Sequence, residues 1–395
     1  MRFELPRAVK FILDRLTECG HRADVVGGAV RDAYLGRETS DYDITTDALP
    51  ARIKEVFSGV RTIDTGIKHG TVALHIDGEN YEITTYRRDG DYLDARHPSS
   101  VEFTESLAED VKRRDFTMNA LCYNEADGIT DLVGGIADID RGLIRTVGDP
   151  VTRFSEDALR ILRAVRFSSV LGFSIERETA SAVVKCAPEL KSISGERIYS
   201  EWQKLIAGDN AYAVLRDYFS VVRVFLPIER AVLPSPEKFR TASPLARTLS
   251  LFALGCDKPD ESFDIAMSGL KTDRATRELG RLALACLSRG VPSSVREALA
   301  TLSEYGEAVT RLAVETAVLT GRAEVGAFTL VEEAIASGVP YSVGALAVGG
   351  GDLLQIGLSG AEIGRELKRL LSAVMDGECE NTKEALLKFL TKNSI

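Results

Sequence analysis

Val25-Val26-Gly27-Gly28-Ala29-Val30-Arg31-Asp32, with Asp41-Tyr42-Asp43 close behind, decides how the rest of this chain is read. An apolar run meets a glycine pair, a short helical segment follows, and two acids then stand one residue apart. A strand that turns through glycine into a helix presents backbone amides to phosphate oxygens, because the first N–H groups of a helix have no partner within it. Gly28 permits close approach, and Arg31 offers a guanidinium fork suited to a phosphate. Asp41 and Asp43, at i and i+2 of an extended segment, leave the same face, with Tyr42 and Ile44 on the other. Two carboxylates so close stay ionised when a cation sits between them, and magnesium takes hard oxygen ligands of this kind. A lone D-x-D is common surface chemistry, and a lone glycine pair is weak. Their order, cradle and then paired acids, is what nucleotidyl transfer requires. A third acid completes such a cluster. Glu82, in Tyr81-Glu82-Ile83-Thr84, is favoured over Asp64 or Asp77 because its segment is expected to pair nearby.

Residues 1–144 mix strand and helix. Thr71 to Ile76 and Tyr81 to Tyr86 are β-branched or aromatic runs separated by Asp77-Gly78-Glu79-Asn80, which is hairpin chemistry. Ala51 to Phe57 and Ala108 to Leu121 read as helices, so this part is an α+β unit with a small antiparallel or mixed sheet. After Gly148-Asp149-Pro150 strand signals almost vanish. Helices follow, with breaks expected at Pro188, Ser192 to Gly195, Gly208-Asp209, Pro234 to Pro236, Cys256 to Pro259, Gly290 to Pro292 and Gly338 to Pro340.

Composition bounds the reading. At 395 residues, 45% of them hydrophobic and 27% charged, the chain is long enough for several buried cores. The amino terminus, Phe3 to Leu16, reads as an amphipathic helix with Arg7, Lys10 and Arg15 on its wet side, not as a secretory signal. The most apolar late stretch, Val339 to Leu358, holds Pro340, three successive glycines and Asp352, and is no membrane span. Six cysteines without a CxxC argue against zinc and against a disulfide framework, and reduced cytosol is the expected compartment. The net charge of −10 taken alone points away from nucleic acid. Averages hide local fields, however, and arginines and lysines bunch at 112–114, 141–145 and 153–166, flanking the candidate chemistry.

Beyond the opening stretch and Asp41-Tyr42-Asp43, two further motifs follow in order: Arg113-Arg114-Asp115-Phe116-Thr117-Met118-Asn119-Ala120 and Glu156-Asp157-Ala158-Leu159-Arg160-Ile161-Leu162-Arg163-Ala164-Val165-Arg166-Phe167. A fainter match lies at Gly195-Glu196-Arg197-Ile198-Tyr199. On these residues the chain resembles the class II tRNA nucleotidyltransferase and poly(A) polymerase family, most of all its bacterial CCA-adding members. The resemblance implies a nucleotidyltransferase head over residues 1–144, a helical neck for nucleotide selection over 145–213, and a helical body and tail for tRNA binding over 214–395, in a seahorse-like arrangement. It implies addition of C, C and A to the tRNA 3′ end from CTP and ATP, without a nucleic-acid template, with Mg2+ as cofactor. The alternatives are an A-adding or CC-adding specialist, a poly(A) polymerase on the same scaffold, or a non-catalytic RNA-binding protein. Nothing points to a membrane or to an obligatory protein partner. All four histidines precede residue 100, so the appended HD-type hydrolase of some relatives is not expected.

Arg113 and Arg114 read as the start of a helix with an apolar interior, Phe116, Met118 and Leu121. By resemblance Arg114 meets the nucleotide, and the bland alternative is an ion pair with Asp110 or Asp115. Glu156 to Phe167 has helical period, with Ala158, Ile161, Leu162 and Val165 on one face, expected to pack on Ala180 to Ala187. Asp157, Arg160 and Arg163 fall opposite, and Arg166 at the margin. Asp157 and Arg160 then stand one turn apart, either as an ordinary ion pair or as a reader of bases. Cytosine and adenine share an exocyclic amino donor beside a ring-nitrogen acceptor, which a carboxylate and a guanidinium complement; uracil and guanine invert both contacts. The resemblance favours base reading, with Arg163 and Arg166 on the triphosphate or stiffening the pocket. Arg87 to Pro98 reads as a mobile polar loop; in the family such a loop accompanies the C-to-A switch. Lys368 and Arg369 are candidates for RNA backbone contacts.

Overall fold

The computed structural model describes residues 3–39, 41–64, 66–89 and 101–392, and the chain divides into two compact units, Met1–Phe225 and Leu226–Ile395. In the first unit, α1 (Arg7–Glu18) buries Val9, Ile12, Leu13 and Leu16 and leaves Arg7, Lys10 and Arg15 exposed, as its amphipathic pattern requires. Strand β1 (Ala23–Val26) is buried along its whole length and turns through Gly27 into α2 (Gly28–Tyr34). Then come β2 (Asp43–Thr46), α3 (Pro50–Val56), β3 (Arg61–Ile63), β4 (Thr71–Ile76) and β5 (Glu79–Thr85). The β4–β5 turn contracts to two residues, Asp77 and Gly78, both at positive φ (53° and 89°), the backbone a tight hairpin demands.

Next in the chain are β6 (Arg87–Asp89), β7 (Val101–Phe103), α4 (Leu107–Lys112), β8 (Cys122–Asn124), β9 (Gly128–Thr130), α5 (Gly135–Asp140) and β10 (Leu143–Ile144). Seven strands form one mixed sheet in the order β3-β4-β5-β2-β1-β8-β9. All its pairings are antiparallel except β2 with β5, which run parallel with Ile44 opposite Ile83. That register places Asp43 and Glu82 side by side, each one residue before the paired isoleucines. Of the polar stretch from Arg87 to Pro98, Arg87–Asp89 pair with Val101–Phe103; residues 90–98 lie outside the described residues.

The rest of the unit is helical apart from β11 (Ser174–Ile175), which pairs parallel with β10: α6 (Pro150–Glu156), α7 (Leu159–Leu171), α8 (Arg177–Cys186), α9 (Gly195–Ala207) and α10 (Ala211–Val222). Four expectations are corrected here. The helix over Ala108 to Leu121 stops at Lys112, because Phe116 must pair with Thr146 and a 3-10 turn follows at Thr117–Asn119. Arg113 and Arg114 therefore close a helix and do not begin one. The helix over Glu156 to Phe167 is broken at Asp157, whose backbone is extended (φ −145°, ψ 103°) between α6 and α7. The apolar face of α7 (Ile161, Leu162 and Val165, all fully buried) packs chiefly on α9, whereas α8 packs chiefly on α6.

In the second unit the described residues form helices and no strands. Helices start at Pro244 and Pro259, where proline's missing N–H costs nothing, and Ser243, Asp273 and Ser294 cap helices through their side chains. One core gathers Leu299, Leu302, Val314 and Val331; another gathers Leu353, Leu367, Leu370 and Leu386. Lys368 and Arg369 are exposed on the helix Ala361–Met375, Arg369 with an ion pair to Glu366. Among the described residues no helix is long and apolar enough to cross a membrane. All six cysteines are free thiols.

Candidate active site

Gly27 adopts φ 81° and ψ −135°, a conformation closed to side-chain-bearing residues, and so swings the chain from β1 into α2. Its amide is tied to the Leu121 carbonyl (3.2 Å), which fixes the turn against the end of the Arg113–Ala120 segment. The turn forms one wall of a cleft of about 360 Å³ within the first unit. Asp41 and Asp43 line it, as do Gly28, Arg31, Arg114, Arg163 and Arg166. Seven of the ten residues singled out in the sequence thus meet in one place.

Asp43 opens β2, while Asp41 lies just before the strand, so the pair straddles its end. Neither carboxylate accepts a hydrogen bond or an ion pair among the described residues. The Asp43 side chain is open to the cleft, yet its walls withhold part of the water around it. Desolvation first, then the charges of Asp41 and Glu82, push its carboxyl up to about 6, against the opposing pull of Arg114 and Arg163. Glu82 does not line the cleft, but its field reaches Asp43 from the neighbouring strand. Among the described residues no three His, Cys, Asp or Glu side chains are already gathered as a metal cage. Two unpartnered carboxylates at the mouth of a cleft fit a magnesium ion that keeps most of its shell for water and substrate oxygens.

The cations are arranged differently from the simplest sequence reading. Arg31 is only 7% exposed. Its Nε and Nη2 donate to the Asp32 carboxylate (2.9 Å each) and its Nη1 to Asn119 Oδ1 (2.6 Å), so its fork is engaged within the chain. Arg114 pairs with buried Asp110 through Nη2 (3.1 Å), and its Nε is buried without a hydrogen-bond partner among the described residues. The bland alternative for Arg114 is therefore present, and Arg114 still lines the cleft. Arg163 donates twice to Asp115 Oδ2 (2.9 and 2.7 Å). Burial acts to raise the Asp115 carboxyl, but Arg163 and Arg160 overcome it and hold it below its ordinary value. Arg166 donates through Nε to buried Glu201 (2.8 Å).

Asp157 and Arg160 stand outside the cleft lining and do not pair with each other. Asp157 is gripped by Arg197 at the start of α9 (2.7 and 3.3 Å) and accepts the Leu159 amide (3.1 Å), which holds the break between α6 and α7. Arg160 is engaged by Glu156 and by the carbonyls of Arg153 (3.0 Å) and Arg113 (3.2 Å). Sequence reasoning passed over Asp115, Asn119, Phe167 and Lys204, all of which line the cleft. Asp115 and Asn119 stand four apart in a motif already singled out, a signal that was available. Lys204 had none, since it reaches the cleft only through the packing of α9 on α7.

A glycine turn into a helix, acids at the end of the adjacent strand and arginines from a following helical segment define a nucleotidyltransferase of the poly(A) polymerase class. Residues 23–145 match the Poly A polymerase head domain, and residues 172–220 match the probable RNA and SrmB-binding site of polymerase A. The CCA-adding enzyme of Lactiplantibacillus plantarum is 35% identical over 97% of this chain and 95% of its own length. That of Geobacillus thermodenitrificans is 52% identical over about half of each chain (52% and 50%). The crystal structure of the Bacillus stearothermophilus CCA-adding enzyme in complex with CTP superposes with a TM-score of 0.77 at 33% identity, covering 97% of this chain and 96% of that one. The chain belongs to the family of CCA-adding enzymes.

Proposed function

We propose that this chain is a magnesium-dependent CCA tRNA nucleotidyltransferase, which adds C, C and A to the 3′ end of tRNA from CTP and ATP without a template strand. The observation that carries this reading is the meeting of unpartnered Asp41 and Asp43 with the Gly27-Gly28 turn and four arginines in one cleft. In the reaction the tRNA 3′-hydroxyl attacks the α-phosphorus, a P–O bond forms to the RNA, and pyrophosphate leaves. Asp41 and Asp43, with Glu82 adding negative charge nearby, would hold magnesium, which would supply Lewis-acid chemistry at the reacting phosphate. The protein's own share is position and charge. The Gly28 backbone lets phosphate oxygens approach, and Arg31, Arg114, Arg163 and Arg166 favour the polyanion over water.

Base choice is assigned to Asp157 and Arg160. An ionised carboxylate has about four acceptor positions. Arg197 and the Leu159 amide use three of those on Asp157, leaving one on Oδ2 for the amino group that cytosine and adenine share. Arg160 would donate to the ring nitrogen that the two bases share. The exposed Lys368 and Arg369 are candidates for RNA phosphates. Six free thiols and the tRNA substrate support a cytoplasmic setting.

The experiment is direct: incubate the protein with tRNA ending at the discriminator base, supply CTP and ATP, and sequence the 3′ ends. Full CCA ends are expected. Ends extended by A alone or by C alone point to the specialists, and a run of adenosines to a poly(A) polymerase. Unextended tRNA with intact RNA binding leaves the non-catalytic reading.

A further inference from the structure

Around one phenylalanine of the cleft the charges are arranged in an unusual way. The guanidinium of Arg166 lies 3.6 Å from the centroid of the Phe167 ring, that of Arg31 5.1 Å and that of Arg163 5.4 Å. Each lies over the ring within the roughly 6 Å at which a cation is attracted to the negative face of an aromatic ring. The three come from two elements, α2 and α7, and like charges gathered so closely repel. Each is also paired with its own acid: Arg31 with Asp32, Arg163 with Asp115, Arg166 with Glu201. The ring is 4% exposed and is itself fixed, because Phe116 meets it edge-on at 5.8 Å and 82°. Phe116 in turn is held by its bridge to Thr146. Phe167 is therefore a rigid neutral post against which three cations stand. The acids leave donors available: Arg166 uses only its Nε on Glu201, out of five N–H groups.

We propose that Phe167 is a positioning residue for the nucleotide's polyphosphate: by holding Arg31, Arg163 and Arg166 in one array, it sets the affinity for any nucleoside triphosphate while leaving base choice to other residues. The inference rests on the nucleotidyl-transfer reading of this cleft. An aliphatic side chain of similar bulk would fill the space and lose the ring's attraction, letting the arginines separate toward their acids. The loss would fall on substrate capture, equally for CTP and ATP, because the array touches the part the two share.

The test uses the full chain with four substitutions, Phe167→Leu, Phe167→Met, Phe167→Tyr and Arg166→Lys, and reads KM and kcat for CTP and for ATP, with thermal melting as a check on folding. F167L and F167M are expected to raise both KM values by the same factor, about tenfold, with kcat changed much less. F167Y, which keeps the ring, restores KM. R166K keeps the charge, loses the flat guanidinium, and should raise KM as F167L does. An unchanged KM in folded F167L or F167M, a tyrosine no better than leucine, or an R166K enzyme with normal KM each overturns the proposal; should the position 167 variants not fold, R166K decides alone. Wild-type protein that joins no nucleotide to tRNA sinks the underlying reading instead, and is told apart at once.

Discussion

Arg197 grips Asp157 from 40 positions away in the chain, Nη2 to Oδ2 at 2.7 Å and Nη1 to Oδ1 at 3.3 Å, and so holds the extended residue that separates α6 from α7. If Asp157 reads the amino group of the incoming base, Arg197 orients the reader. Arg197→Gln should then loosen base choice more than it slows addition. Misincorporation of UTP or GTP relative to CTP is expected to rise about tenfold, within the roughly 1–3 kcal/mol that one good base contact supplies. Sequencing tRNA 3′ ends after incubation with all four nucleotides measures it. Unaltered fidelity would reduce the pair to a strut that fixes the α6–α7 junction to α9.

Asp43 makes a prediction about stability against pH. Its folded carboxyl titrates at about 6, above its ordinary value of 3.8, chiefly through desolvation and then through Asp41 and Glu82. Below the ordinary value both folded and unfolded chains carry the proton, and no cost exists. Between that value and about 6 the unfolded chain releases it first, so folding becomes less favourable as pH rises; above 6 the cost is complete. Asp43→Asn removes it. The variant should melt higher than the wild type at pH 7.5 in metal-free buffer, by about 2 °C once solvent screening of so open a group is allowed for. The gap should close below pH 4, while addition is abolished throughout. A variant that melts lower at pH 7.5 contradicts the charge crowding.

What could be read in the sequence depended on the range of the forces involved. The Asp77-Gly78 hairpin and the Gly27 turn were legible because positive φ at a glycine-rich turn is a local requirement that neighbouring residues do not change. The buried face of α7 was legible because its period survives any tertiary context. The break at Asp157 was not: apolar spacing carries on across it, and its cause includes Arg197, which no local window contains. The fork of Arg31 faced a similar limit. Asp32 is adjacent in sequence, but only the folded chain brings Asn119 to the third donor. Lys204 enters the cleft because α9 lies on α7, a fact of packing alone.

Magnesium should be visible without turnover. Asp41 and Asp43 form no ion pair among the described residues, so a divalent cation that binds only the folded site stabilises it by mass action, about 1.4 kcal/mol at tenfold over its Kd. Adding magnesium to chelator-treated protein should raise the melting temperature of the wild type and leave Asp41→Ala/Asp43→Ala nearly unmoved. The same double variant should keep its affinity for tRNA. Equal magnesium shifts in the two proteins would move the metal away from these acids.

The two glycines of the turn should fail in opposite ways. At Gly27 an added Cβ would meet nothing closer than 3.9 Å, so space is available; the obstacle is the backbone itself at φ 81°. Gly27→Ala should therefore cost about 1–3 kcal/mol of stability, seen as a lower melting temperature, and take addition with it by shifting the wall next to Asp43 and Arg114. At Gly28, the first residue of α2, the backbone suits any residue and a Cβ would touch Arg31 Nη2 at an ordinary 3.5 Å. Gly28→Ala should melt no lower than the wild type, since alanine is the better helix former. Its methyl group would stand where a phosphate oxygen must approach, so KM for CTP and ATP should rise while kcat changes less. A Gly28→Ala enzyme with normal KM for both nucleotides would show that the turn shapes the fold and does not receive the triphosphate.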